Sequence, residues 1–202
     1  SAMTRLKTLL VGLLGCGAVG VADAHSRVFI LDGNSGTLNF SCDVIGLMPV
    51  EGGFTRFIAV ITIDEDAPWE ARAVVKVDAR SLMTDDGAWI DDLKGPDFFN
   101  VAAYPEFDFT SRTTTVEGPG RLRIDGALTL RGETRPISLR VRYKTPDTPS
   151  GTAAISADGE LDRTEFGMDA YDMVVSDDVE IEVSGTARPG YPPPAAVLSA
   201  LP

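Results

Sequence analysis

Between Arg121 and Tyr143 apolar and polar residues alternate almost without interruption. Leu122, Ile124, Leu128 and Leu130 fall on one side of the alternation, with Arg121, Arg123, Asp125, Thr129 and Arg131 on the other. After Gly132-Glu133-Thr134 it resumes, with Ile137, Leu139, Val141 and Tyr143 set against Ser138, Arg140, Arg142 and Lys144. Side chains on a strand project to opposite faces with period two, so this stretch predicts a hairpin with one wet and one dry face.

The same period recurs through most of the chain. It places Leu38, Phe40, Cys42 and Val44 on one face, then Ala73, Val75, Val77 and Ala79, then Phe107 and Phe109. Further on it selects Ala153, Ile155, Ala157 and Leu161, and finally Val179, Ile181 and Val183, while residues 56–64 are apolar on both faces. That makes eight strands, or nine if residues 27–31 pair at the front. Turn residues fill nearly every gap. One segment, Asp85 to Pro105, lacks alternation and carries Trp89, Ile90 and Leu93 at helical spacing. It predicts one or two short helices over about residues 86–102, the first ending near Gly95-Pro96.

Amphipathic strands with one helical excursion predict an all-β fold, either a sandwich or a closed eight-stranded antiparallel barrel. The inward set mixes Phe40, Phe107, Phe109 and Tyr143 with Ala73, Ala79, Gly126, Ala153 and Ala157. Large and small groups can interdigitate to solid density, or leave room for one small ligand inside eight strands. The pattern leaves both open.

The ends read differently. Residues 1–24 combine an expression scar, Ser1-Ala2-Met3, with a secretory leader: Arg5 and Lys7, an apolar run, and an Ala22-Asp23-Ala24 cleavage site. The run is glycine-rich and shorter than the roughly 20 apolar residues of a membrane span. A rival processing site ends at Cys16, where Leu-Leu-Gly-Cys resembles a lipoprotein box with an uncommon leucine at Leu14; acylation there would anchor the protein to a membrane. The expected organisation is leader 1–24, a single β-domain 25–188 and a proline-rich tail 189–202. The expected location is the periplasm or the exterior, with a lipid anchor at Cys16 as the alternative.

Charge and chemistry narrow the function. The net charge is −12, and losing the leader makes it one unit more negative, so phosphate backbones repel this chain and nucleic acid is not an expected partner. Beyond the leader there is one cysteine, Cys42, and one histidine, His25. A disulfide within the mature domain, a structural zinc site and a histidine-based triad all lack residues. Asp162 and Asp169 carry nothing that makes them an acid–base couple. No catalytic residue, metal site or cofactor is assigned. One minor idea is copper chelation by His25 with a new α-amine at cleavage, against the plainer reading of a frayed terminus.

Three segments carry a family resemblance. Asp92–Ser111, with Asp97-Phe98-Phe99 and Tyr104-Pro105, resembles the helix-to-strand signature of the YceI-like family. Ile124–Val141 is similar to its Gly-x-Leu-Thr-x-Arg-Gly-x-Thr-x-Pro hairpin, and Leu161–Val183 to its Asp-Arg-x-x-Phe-Gly-Met and Val-Ser-Asp elements. With a weaker match over Asp32–Ser81 they follow in consistent order. The resemblance implies a secreted lipocalin-like barrel with a tunnel for polyisoprenoids, isoprenoid quinones or fatty amides. It further implies non-enzymatic binding, transport or sequestration, exchange with membranes, and a link to electron transfer or stress. A homodimer stays open. The chain departs from the pattern where family members carry histidines: the matching positions are Ser35-Gly36, Val44 and Trp89–Leu93, so any head-group contact made there differs.

On that reading the tunnel is lined by Phe40, Val44, Phe107 and Phe109, inward by parity, and by Leu128 and Leu139 of the hairpin. Phe98 and Phe99 either wall the tunnel or anchor the helix. Phe166 and Met168 resemble the family's loop near the tunnel, and Met48 and Met173 are weaker candidates. Asp162-Arg163 reads as an ion pair or turn contact, Arg131 as a hairpin residue, and Cys42 as a small buried apolar group. The competing functions are a solid-cored β-sandwich for adhesion or assembly, without a small-molecule ligand, and a lipid-modifying enzyme. The latter lacks nucleophiles and metal ligands.

Overall fold

Six of the eleven strands among the described residues belong together in pairs. In the computed structural model, which describes residues 26–85 and 87–190, β1 (Ser26–Asp32) runs into β2 (Gly36–Val44), and β3 (Val50–Phe54) into β4 (Phe57–Asp64). Likewise β5 (Arg72–Asp78) reaches β6 (Leu82–Thr84) through one turn of 3-10 helix. β1 lies along β4 and β2 along β3, and the next layer repeats this with β4 on β5 and β3 on β6. Each pair is therefore one long strand broken at a bend.

Five unbroken strands complete the wall: β7 (Glu106–Gly118), β8 (Arg121–Leu130), β9 (Glu133–Lys144), β10 (Ala153–Asp162) and β11 (Val175–Pro189). β11 returns to both halves of the first strand, pairing with β2 from Val175↔Val44 to Gly185↔Gly36 and with β1 at Phe29↔Pro189. The sheet closes on itself as an eight-stranded antiparallel barrel, and closure excludes the sandwich alternative.

The three bends lie side by side. Gly33 is pressed onto Thr55 so closely that a Cβ there would sit 1.8 Å from the Thr55 carbonyl oxygen. The amides of Thr55 and Arg56 donate to the Ser81 carbonyl and hydroxyl at 3.3 and 2.9 Å. Beneath them the nearly buried Asp78 carboxylate accepts from the Arg80 amide and from the guanidinium groups of Arg56 and Arg80 at 2.8–3.1 Å. The Arg80 hydrogen bond leads in holding its pKa down at about 2, against the opposing effect of burial; Arg56 lowers it further.

The sequence pattern misses β3 and β6. Gly52 and Gly53 interrupt the alternation of β3, and β6 is three residues long. Residues 27–31 do pair, within β1. The hairpin turn is Arg131-Gly132, both at positive φ (55° and 78°) as a two-residue turn demands, so β9 begins at Glu133. The excursion contains one helix, α1 (Ile90–Lys94), followed by turns through Ala103. Among the described residues no helix is long and apolar enough to cross a membrane. The leader, Cys16, His25 and the tail beyond Gly190 lie outside the described residues.

The end bearing Ser26 and Pro189 is solid. Phe29, Leu31, Ile63, Ala153 and Ala187 are all at most 2% exposed. Arg27 covers them, its guanidinium 5.0 Å from the Phe29 ring centroid and donating to the carbonyls of Pro146 and Thr148 at 2.9 Å.

Candidate functional site: an apolar cavity at one end of the barrel

The opposite end carries the two longest connections, residues 85–105 and 163–174, together with residues 45–49 and the Arg131-Gly132 turn. There β6 is the last strand of its sheet edge, and the excursion carrying α1 crosses beside it before returning as β7. Four phenyl rings meet beneath that crossing. Phe54 stands 5.9 Å from Phe40, 5.3 Å from Phe99 and 5.0 Å from Phe107, centroid to centroid, with Phe99 also 5.5 Å from Phe40. Tilted and edge-on rings of this kind attract one another but do not tile space.

A cavity of about 130 Å³ lies between these rings and the strands around them, and its surface is contributed by apolar atoms alone. Phe40, Val44, Phe107 and Phe109 border it, as do Leu128 and Leu139 of the hairpin. So do Phe98, Phe99 and Met168. Phe98 and Phe99 thus serve both readings, since the Phe98 carbonyl also accepts from Arg131, pinning the excursion to the β8–β9 turn.

Phe166 is the exception. It is 1% exposed and does not border the cavity; it packs with Met168 inside the one-turn 3-10 helix of residues 163–166. The left-handed Gly167 (φ 71°) that ends this turn sends neighbouring side chains to different sides. Met48 and Met173 do not border the cavity either. They stand outside its mouth, 83% and 84% exposed.

The small inward residues do not create the void. A Cβ on Gly126 would lie 2.4 Å from the Phe109 ring, and one on Gly52 2.5 Å from Phe40 Cζ, so each glycine is a seat for an aromatic ring. The glycines let the rings settle flat against the wall. Space remains because the rings cannot fill the centre.

Arg163 fastens the mouth. Its side chain is 2% exposed, and Nε donates to the Ser176 carbonyl at 2.8 Å. The terminal nitrogens reach the carbonyls of Met168, Ala170 (2.8 Å) and Val175 (3.0 Å), with the Asp177 carboxylate at 3.4 Å. Its partners are thus the loop carbonyls and Asp177, while Asp162 caps the turn by accepting from the Thr164 amide. Cys42 faces the cavity beside it, its Sγ 3.3 Å from the Ser176 carbonyl, and burial pushes the thiol pKa up. Sequence reasoning assigned no cavity role to Cys42 or Arg163 and overlooked Phe54, Val50 and Trp89, which also border the cavity. Phe54 was recoverable: it follows Gly52-Gly53 with the parity of Val50.

A larger concavity, about 1580 Å³, lies on the outer sheet face and is open to water. Its walls carry Glu51, Glu160, Glu180 and Glu182, with Asp158 paired to Arg140 at 2.6 Å. Size ranks it first, but water solvates its charges. Only the interior cavity offers what water cannot. Among the described residues no group of three or more histidine, cysteine or acidic side chains is placed to hold a metal ion.

Known proteins resemble this chain along nearly the whole barrel. The YceI-like domain profile matches residues 25–187. Protein YceI of Salmonella arizonae is 30% identical over 156 residues, covering 76% of this chain and 81% of its own length. Burkholderia cenocepacia BcnA has the same fold at a TM-score of 0.70 and 20% identity, covering 78% of this chain and 98% of its own. A polyisoprenoid binding domain from Saccharophagus degradans, implicated in plant cell wall breakdown, superposes with a TM-score of 0.59 at 12% identity, over 81% and 99% of the two chains.

Proposed function

The chain belongs to the YceI-like family, and from that premise we propose that it is a non-enzymatic binding protein for an apolar lipid held inside the barrel. One observation carries the reading: the cavity surface is wholly apolar within a closed wall. A polar or charged ligand would lose its hydration there and gain no hydrogen bond in return. A hydrocarbon gains roughly 0.8 kcal/mol for each methylene removed from water, so about ten buried carbons offset a large share of the ordering cost.

Volume sets the mode of binding. A cavity of about 150 Å³ accepts benzene, so 130 Å³ seats a ring or a short branched segment as it stands. A longer chain enters by turning aside Phe99 and Phe54, whose rings meet edge-on at 5.3 Å. A polyisoprenoid or isoprenoid quinone suits this best, because its branched units match pockets between rings; the shared fold with the Saccharophagus domain supports it. A fatty amide is the runner-up. Val44, and the run from Trp89 to Leu93, replace histidines of the family pattern, favouring a head group that needs no imidazole. We place the protein in the periplasm or outside the cell on the strength of its leader-like residues 1–24, which cell fractionation tests.

The decisive experiment is native mass spectrometry of protein purified from its source, followed by solvent extraction. A reproducible, stoichiometric mass in the lipid range is expected. Recovery of none, together with no uptake of isoprenoid alcohols, quinones or fatty amides offered in detergent micelles, overturns the proposal.

A further inference from the structure

Among the described residues, six of the ten large apolar side chains that stand exposed gather at one place, the mouth of the cavity. Ile45, Leu47 and Met48 occupy the β2–β3 loop; Tyr171, Met173 and Val174 occupy the segment before β11. The Ile45 amide donates to the Val174 carbonyl at 2.7 Å, which holds the two loops side by side. Residues 45–49 read Ile-Gly-Leu-Met-Pro, without one charged or hydrogen-bonding side chain. Loop tips in water are ordinarily polar, and an apolar patch of this kind marks a contact surface.

The patch continues inward. Val44 and Val50, at the two ends of the first loop, and Val175, at the end of the second, all border the cavity. Tyr171 stacks on Phe98 at 6.0 Å and meets Trp89 edge-on at 6.3 Å, and both partners border the cavity too. Apolar surface therefore runs unbroken from the outermost methionines to the interior. Arg163 keeps the second loop from folding back, by fixing the carbonyls of Met168, Ala170 and Val175.

We propose that these two loops dock the mouth onto a bilayer of electrically neutral head groups, so that the cargo passes between membrane and cavity without crossing water. The inference rests on the lipid-binding reading above: such cargo has no aqueous pool, and a bilayer is the phase that holds it. Charge selects the surface. Asp43, Glu51, Asp172, Asp177 and Asp178 flank the loops. Two copies docked mouth to mouth would bring these carboxylates together, and an anionic bilayer would meet the same repulsion. A neutral surface opposes nothing, while flexible methionines and aliphatic tips settle among acyl chains.

The test uses the chain with Trp69→Phe, which leaves Trp89 at the mouth as the only tryptophan, in wild-type and Leu47→Asp/Met173→Asp forms. Both altered side chains are exposed, and thermal melts check that the fold is retained. Comparing the two forms cancels any contribution of residues 1–24 to vesicle binding. With phosphatidylcholine vesicles, the double substitution is expected to lower partitioning at least tenfold and to abolish quenching of Trp89 by brominated acyl chains. Transfer of an isoprenoid quinone from vesicles should slow equally, while uptake from micelles stays unchanged. Adding phosphatidylglycerol should weaken binding of the unsubstituted form. Equal partitioning and transfer by both forms overturns the docking proposal. So does a concentration-dependent dimer, seen in sedimentation and lost in the variant, which assigns the patch to a second copy; tighter binding to a basic protein than to vesicles does so as well. Loss of micellar uptake in the unsubstituted form instead removes the lipid-binding reading, whatever the vesicles show.

Discussion

At the end of the barrel that holds Phe29, the facing pair Ala153↔Ala187 and that ring are fully buried in one core cluster, and Arg27 covers them with hydrogen bonds to a neighbouring loop. At the other end Gly52 and Gly126 leave gaps filled by rings, yet a cavity persists. The difference lies in the number of rings converging. A single phenyl among aliphatic groups packs to solid density. The four phenyls of Phe54, Phe40, Phe99 and Phe107 meet at angles from 25° to 81° and leave a space between them. The connections differ as well: the hollow end carries the two longest, 85–105 and 163–174, beside the short Arg131-Gly132 turn and residues 45–49, whereas those of the solid end are 65–71, 119–120 and 145–152.

The most forceful way to break this contrast is to remove one ring from each end. Phe29→Ala should cost about 3–5 kcal/mol in urea unfolding, the usual cost of a ring lost from solid core, and leave lipid uptake per folded molecule unchanged. Phe99→Ala should cost only about 1–2 kcal/mol, because its ring is partly exposed and already faces free volume, and should enlarge the cavity so that bulkier chains enter. Equal costs would mean the two ends are not energetically distinct.

A subtler substitution adds a single methyl. Gly126→Ala places a Cβ where the Phe109 ring now lies and within 2.6 Å of the Thr110 carbonyl oxygen. The ring must swing toward the cavity, at about 1–3 kcal/mol for overpacking, and ligand binding should weaken several-fold. Titration of a fluorescent polyene into wild type and variant reads this directly.

How much of this the sequence discloses follows from the same contrast. Strand parity placed Phe40, Phe107, Phe109, Leu128 and Leu139 on the inner wall, because alternation depends only on the pleat. The closed barrel needed the family resemblance as well, since period two does not distinguish a sandwich from a barrel. Parity failed where the wall bends: the 3-10 turn before β6 resets the phase, and Gly52-Gly53 hides β3. At Phe166 it was the family resemblance, not parity, that pointed to the tunnel, and there the left-handed Gly167 sets Phe166 and Met168 on different sides. The balance of filled and unfilled space was not legible at all. It depends on how rings tilt against one another in three dimensions.

The bend line between the two ends can be tested with acid. Asp78 is held at a pKa of about 2 by Arg80 and Arg56. A depressed carboxylate contributes stability above its unfolded value, near 4, and loses it as pH falls toward 2. Because both arginines are half exposed, solvent screening limits the contribution to about 1–2 kcal/mol. Asp78→Asn should lower neutral stability by that amount. It should also flatten the pH dependence between about pH 4 and 2, in urea melts at stepped pH.

The smallest effect is expected at Cys42, and it sharpens the contrast at the level of one atom. Cys42 is nearly buried, faces the cavity, and is the free thiol among the described residues. Cys42→Ala should therefore cost about 1 kcal/mol or less, far below the loss at Phe29. Its reactivity carries the information instead. Alkylation needs the thiolate, and burial raises the thiol pKa with only partial relief from the charge of Arg163. At pH 8 a small apolar alkylating reagent should label the folded protein at least tenfold more slowly than the urea-unfolded chain. The mouth should still admit it faster than a charged reagent of similar size. Adding an isoprenoid quinone should slow the apolar reagent several-fold further, because the cargo occupies the route by which that reagent arrives. If the ligand binds and the labelling rate does not move, the cargo does not occupy the space between Cys42 and the phenyl rings, and the hollow end is not its seat.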